Sequence, residues 1–140
     1  MSERSWDGHR HWLFDVDGTL VDSFDATELR PLVLELFETL RDANRIIDVW
    51  SAGGADHARI VIVRHGLDRY VSAYDDKRIG EDGRWLLPDG VSPADLVCVD
   101  DQPAQLPAGV STIAVFPYLR ANPHDRALAP ALARLSGRPK

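Results

Sequence analysis

Four acids, a serine and a lysine stand where short apolar runs stop, and their types suit the handling of a phosphoryl group. Asp15 and Asp17 lie two apart after the apolar His11-to-Phe14 run. In an extended strand, residues two apart face the same way, so both carboxylates would leave the strand end together. Gly18 beside them lets the backbone turn sharply. Ser51 follows Val49-Trp50 and precedes Gly53-Gly54, where a hydroxyl and helix-start N–H groups make a phosphate seat. A serine there equally suits an N-cap. Lys77 is the sole internal lysine of an arginine-rich chain, so a compact ammonium is singled out at that point, although its run Asp75-Asp76-Lys77-Arg78 also suits a solvated surface. Asp100-Asp101 follows the apolar Leu96-to-Val99 run with no spacer. Two adjacent acids at a buried strand mouth repel each other, and a divalent cation such as Mg²⁺, which prefers oxygen ligands, resolves that repulsion. Together these groups supply a nucleophilic carboxylate, a second carboxylate to move protons, and positive charge for a transferring phosphoryl group.

Such a constellation needs elements that deliver it to one place. Strands are expected at His11–Val16, Ile46–Trp50, Tyr70–Tyr74, Leu96–Val99 and Thr112–Phe116. Helices are expected from Pro31 to about Arg41, over Ala55–Arg64 ended by Gly66, and over Asp125–Leu135, each from apolar residues at helical spacing. The stretch Ile79–Gly90, with Gly80, Gly83, Gly90 and Pro88 around Trp85-Leu86-Leu87, reads as a hairpin or irregular excursion. Alternation of this kind predicts an α/β fold: a doubly wound, mostly parallel, Rossmann-like sheet in three layers, with helices on both faces. Its ligand crevice lies at the carboxyl ends of the strands, where every residue singled out above is expected to sit. Residues 11–135 read as one domain, 1–10 as a flexible lead-in and 136–140 as a tail.

Composition narrows the partners. The 140 residues carry a net charge of −6 and are 44% hydrophobic, enough for a real core without disulfides or a structural metal. The acidic balance argues against stable nucleic-acid or membrane attachment. The single cysteine, Cys98, excludes an internal disulfide and reads as a buried core residue. No apolar signal-peptide core opens the sequence and no run is long enough to span a bilayer, so a cytoplasmic monomer or homodimer is expected. His57, His65 and His124 read as surface or structural, and His9 and His11 as too near the start to be ligands. Tyr118, Arg120 and His124 are placed near the substrate entrance. Asp48, a charge inside a central strand, has no explanation from sequence.

The segment Phe14-Asp15-Val16-Asp17-Gly18-Thr19-Leu20-Val21-Asp22 resembles the first motif of the haloacid dehalogenase-like (HAD) superfamily of aspartate-dependent phosphatases. Ser51 resembles its second motif, Lys77 its third and Asp100-Asp101 its fourth, in the family's order. Response-regulator receiver domains use similar groups in another order. The resemblance implies a Mg²⁺-dependent phosphomonoester hydrolase working through an aspartyl-phosphate. Asp15 would be the nucleophile and Asp17 the general acid/base. Gly18, Thr19, Ser51, Ala52, Gly53 and Lys77 would bind phosphate or substrate. Mg²⁺ would be held by Asp15, the Asp17 backbone carbonyl, and Asp101 directly, with Asp100 beside it or through water. The dehalogenating branch lacks an acid at the position of Asp17. Lys77 lies further from Asp100-Asp101 than is usual in the family, which leaves Arg78 or Arg84 as alternative cations. The first two motifs are too close for a large cap domain, and the 79–90 excursion is too short for a full second one. Together with Val49-Trp50-Ser51-Ala52-Gly53 and Val99-Asp100-Asp101-Gln102-Pro103, this resembles the capless branch. An open site of that kind implies an accessible or macromolecular phosphate, on a protein side chain or a polynucleotide end. A small-metabolite phosphatase or phosphotransferase, and a non-catalytic phosphate-binding module, are the alternatives.

Overall fold

The computed structural model describes residues 9–136. The lead-in and tail expected at the two ends lie otherwise outside the described residues. Five strands and three α-helices follow in the order β1 (His11–Asp15), α1 (Val33–Asp42), β2 (Ile46–Ser51), α2 (Ala55–Arg64), β3 (Ala73–Asp76), β4 (Leu96–Asp100), β5 (Ser111–Ala114) and α3 (Ala129–Leu135). All strands are parallel, in the order β3-β2-β1-β4-β5. The fold is α/β, Rossmann-like and doubly wound, and the winding reverses between the central neighbours β1 and β4.

Side-chain alternation divides the core. Trp12, Phe14, Ile47, Val49, Val97 and Val99 face one way and pack on Leu36, Phe37 and Leu40 of α1, Val61 and Ile62 of α2, and Ala131 of α3. Leu13, Trp50, Leu96 and Cys98 face the other way, against Trp85, Leu87, Val91, Leu106 and Val110. Right-handed crossovers explain the division, since connections running β1 to β2 to β3 fall on one face and those running β3 to β4 to β5 on the other. The second face is covered by irregular chain and 3₁₀ turns at Pro93–Asp95 and Pro103–Gln105. No α-helix occurs in that layer among the described residues, because glycines and prolines punctuate both connections.

Some boundaries differ from the sequence expectation for identifiable reasons. Residues Asp68–Tyr70 form a 3₁₀ turn and the third strand starts later, at Ala73. The Tyr70 ring packs edge-on against Phe37, with Arg41 and Arg69 over it, so its apolar bulk serves the helical layer. Helix α3 starts at Ala129 because Asp125 is committed to Arg30 and to the Ala127 N–H, with Pro130 in the first turn. Strand β5 ends at Ala114, and Phe116 leaves the sheet with its ring exposed. Pro31 falls just outside α1, whose N-cap is Leu32.

The puzzle of Asp48 is answered by His11. On neighbouring strands, Leu13 is directly opposite Asp48 and His11 is two residues back on the same face. The His11 imidazole bonds the Asp48 carboxylate, while the second oxygen, Asp48 Oδ1, is buried without a hydrogen-bond partner among the described residues. Replacing His11 by Leu removes the one bond and leaves the whole acid unsatisfied. We expect a loss of about 1–3 kcal/mol in urea denaturation, recovered in the His11→Leu/Asp48→Leu double variant. A His11→Leu protein as stable as wild type would show that the pair is immaterial. Cys98 is buried as expected, and burial, with the charge of Asp100 adding to it, pushes its thiol up to about 12, so it is unreactive. No helix among the described residues is long and apolar enough to cross a membrane.

Candidate active site

Strands β1 and β4 are hydrogen-bonded neighbours, so their terminal acids Asp15 and Asp100 emerge side by side at the carboxyl edge. In a doubly wound sheet, the strand ends at the point of reversal open a crevice that no crossover can fill. Asp101, one residue beyond β4, completes a triangle: Asp15, Asp100 and Asp101 each offer an oxygen within 4.8 Å of the others.

Positive charge comes from Lys77. Its Nζ donates to Asp100 Oδ2 at 2.7 Å and to Asp15 Oδ1 at 3.2 Å. It sits between two indoles, 5.4 Å from the Trp50 ring centroid and 4.9 Å from that of Trp85. The irregular 79–90 excursion therefore has a definite job: an antiparallel bridge between Ile79 and Trp85 folds Trp85 back over the lysine. Neither alternative cation reaches the cluster. Arg84 donates to the Leu106 carbonyl at 2.8 Å, and Arg78 is exposed. Cation–π contact stabilises a desolvated ammonium, which burial alone would deprotonate.

Burial sets the electrostatics of the acids. It pushes the Asp15 carboxyl well above its ordinary value, the charge of Asp100 adds to the rise, and Lys77 pulls against it. Asp100 is likewise raised by burial, with Lys77 opposing. Burial would lower Lys77, but Asp15 and Asp100 outweigh it and hold the ammonium above its ordinary value. One ammonium is thus shared by two buried acids with a third beside them, and negative charge remains in excess. That surplus, in an all-oxygen donor set, fits a divalent cation such as Mg²⁺.

Loop residues lock this arrangement. Thr19 is fully buried, and its hydroxyl is shared between Asp15 Oδ2 at 3.1 Å and Asp101 Oδ1 at 3.3 Å while accepting the Asp101 N–H at 3.1 Å. Gly18 has φ +83°, and a Cβ there would lie 2.5 Å from Asp101 Oδ2. Glycine is required twice over, by the backbone and by the acid pressed against it.

Ser51 ends β2 and is buried, and its Oγ accepts the Gly53 N–H at 3.0 Å. It does not cap α2; Gly54 occupies that position. The Ala55 N–H at the start of α2 is taken by Asp76 Oδ1 at 2.7 Å. The expected phosphate seat over Ser51, Ala52 and Gly53 is therefore narrower than a bare helix end, since an acid from β3 already satisfies one donor.

Asp17 stands apart from the acid triangle. Its Oδ2 lies 2.9 Å from Nε2 of His57, with the two side chains 39% and 40% exposed. His57 was expected to be surface or structural. The signal that could have found it is its place three residues into α2, because helical side chains lean toward the N-terminus and so toward the strand ends. Sequence reasoning also missed Arg30, which is buried and reaches the carbonyls of Gly18, Thr19 and Phe116 and both oxygens of Asp125.

The expected entrance residues separate. Tyr118 is buried and structural: its N–H donates to the Gly18 carbonyl at 2.8 Å, and its carbonyl accepts from Ser23 at 2.9 Å. Arg120 lines an open groove with Ser23, Phe24 and Leu119. His124 is exposed, its N–H donating to Asn122 Oδ1.

Neither a scan against protein-family models nor a search of the curated proteins finds a match to this chain. Fold and site geometry therefore carry the functional reading.

Proposed function

We propose that this protein is a Mg²⁺-dependent phosphomonoester hydrolase of the haloacid dehalogenase-like type, acting through an aspartyl-phosphate on Asp15. The observation that carries the reading is the meeting of Asp15, Lys77, Asp100 and Asp101, from three separate strand ends, in one buried cluster. Structural ion pairs seldom place three acids and one cation where their charges do not cancel; active sites do.

Each residue has a role in the proposed reaction. An Asp15 oxygen attacks phosphorus, the bond from phosphorus to the ester oxygen breaks, and Asp17 gives its proton to that leaving oxygen. Asp17 then takes a proton from water as the water oxygen attacks phosphorus, and inorganic phosphate departs with Asp15 restored. Lys77 orients Asp15 and offers positive charge to the phosphoryl oxygens, and the Ser51 hydroxyl donates to them. Mg²⁺, held by Asp15, Asp101 and the Asp17 carbonyl with Asp100 beside them, would neutralise charge on the transferring group.

The half-exposed Asp17 supports an accessible phosphate as substrate, one presented at an open rim. The net charge of −6 favours a phosphorylated protein side chain over a polynucleotide end. The test is release of inorganic phosphate from an aryl phosphate. Turnover is expected with Mg²⁺, and none with a chelator in excess. Turnover unaffected by chelation would overturn the metal assignment, and no turnover under any metal would overturn the hydrolase.

A further inference from the structure

We infer that His57 is a positioning residue that holds the Asp17 carboxyl in register for proton transfer to the leaving oxygen. The inference rests on the reading of Asp17 as the proton donor and adds a residue that none of the sequence motifs contains.

Asp17 needs such a holder. Asp15 is fixed by Lys77 and Thr19, and Asp100 by Lys77 and by the Gln102 N–H at 2.8 Å. Asp17 lies past the end of β1, its side chain is 39% exposed, and its one side-chain hydrogen bond among the described residues is the 2.9 Å bond to His57. A carboxyl on a loop with no partner spreads over several rotamers, each reducing the fraction of time its proton points at the reacting oxygen.

His57 is itself held firmly. It belongs to the first turn of α2, whose Ala58, Val61 and Ile62 are buried in the core. Its ring lies against the turn after Ser51, so close that a Cβ on Gly53 would stand 3.2 Å from His57 Cδ2. Gly53 thus serves as the floor for the imidazole, and the Gly-Gly turn, the helix start and Asp17 form one unit. With Nε2–H donating to Oδ2, the other oxygen of Asp17 carries the proton that passes to the leaving oxygen as the bond from phosphorus to that oxygen breaks. His57 keeps its own proton throughout.

A positioning role predicts a dependence on the leaving group that general damage would not. An alkyl oxygen must be protonated as it departs, whereas a nitrophenolate leaves well without help. His57→Phe keeps a ring and removes the donor. Its kcat/KM should fall by roughly 10–100-fold on an alkyl phosphate, part of the ~10²–10⁴ that general acid catalysis supplies. The fall on nitrophenyl phosphate should be at least about tenfold smaller. His57→Gln, with a donor of similar reach, should restore most of the difference. Equal losses on both esters would overturn the inference while leaving the hydrolase intact. A fall in Asp17→Asn that is likewise greater on the alkyl than on the nitrophenyl ester would support the shared role; its absence there would instead overturn Asp17 as the acid, and the inference with it. A readout independent of turnover is the ring tautomer, from long-range ¹H–¹⁵N spectra at pH ~8.5, above the ordinary histidine value. A fixed Nε2–H form is expected in the wild type and a mixture in Asp17→Ala. A wild-type ring carrying its proton on Nδ1 would overturn the inference whether or not the protein is a hydrolase.

Discussion

Asp15→Asn protein should release phosphate from an aryl ester at least about 10⁴-fold more slowly than wild type, the scale on which loss of a covalent nucleophile acts. The amide matches the carboxylate in size, so Thr19 and Lys77 keep a partner at that position and the fold has no reason to rearrange. What disappears is the anionic oxygen that would bond to phosphorus. The same variant carries a second expectation of opposite sign. Burial and Asp100 raise the Asp15 carboxyl well above its ordinary value. A carboxyl raised in this way contributes stability that is fully present below its unfolded value and is lost as pH rises through its folded value. In chelator, at pH above the ordinary carboxyl value, burial of Asp15 therefore weighs against folding, and Asp15→Asn should melt at or above the wild-type temperature. Calorimetry at neutral pH, alongside the phosphate assay, checks both. Undiminished turnover would remove Asp15 as nucleophile, and a marked drop in melting temperature would show that the acid serves the fold rather than the chemistry.

Arg30→Met should cost about 3–5 kcal/mol, the usual penalty for breaking a buried ion pair from one side. Arg30 is 1% exposed. Its Nε and Nη2 meet the two Asp125 oxygens at 2.9 and 3.1 Å, its Nη1 reaches the carbonyls of Gly18 and Thr19, and it lies 5.2 Å from the Tyr118 ring centroid. Methionine fills the space but removes all of these bonds, leaving the Asp125 carboxylate only the Ala127 N–H and the Gly18 carbonyl only the Tyr118 N–H. The pH dependence follows from Asp125. Burial would raise its carboxyl, but the bonds from Arg30 and the Ala127 N–H, with the Arg30 charge, outweigh it and hold the group below its ordinary value. Its contribution is present above the unfolded value of about 3.9 and is lost as pH falls through the lower folded value. Urea titration should show the gap between wild type and Arg30→Met closing at acid pH. The Arg30→Met/Asp125→Leu double variant should regain part of the loss, because no half-buried acid is then left without its cation. A cost under about 1 kcal/mol would contradict the reading of Arg30 as the brace of the Gly18–Thr19 loop.

Local patterns made most of the architecture legible. Apolar runs ending in acids marked β1 and β4, and the span of α2 was readable to the residue because Gly54 and Gly66 bracket it. Periodicity and glycine act over a few residues, and a strand end is a local event. The order of Asp15, Asp17, Ser51, Lys77 and Asp100-Asp101 was likewise visible, as was the need for Gly18 at a turn.

Contacts between distant segments were not. Sequence left Lys77 undecided against Arg78 and Arg84, because an ammonium's direction depends on Trp50 and Trp85, which approach it from a central strand and an irregular excursion. It left Asp48 unexplained because the partner, His11, is supplied by strand register. The apolar weight of Tyr70 suggested a strand until Phe37 and two arginines claimed its ring, and Asp125 looked helical until Arg30 took its carboxylate. His57 read as surface or structural, and Arg30 carried no signal in the sequence. Chain chemistry determined which groups exist and which ends of which elements carry them; the parallel sheet, reversing between β1 and β4, decided which of them touch, since pairing across strands depends on register and crossover hand rather than on any neighbour in sequence.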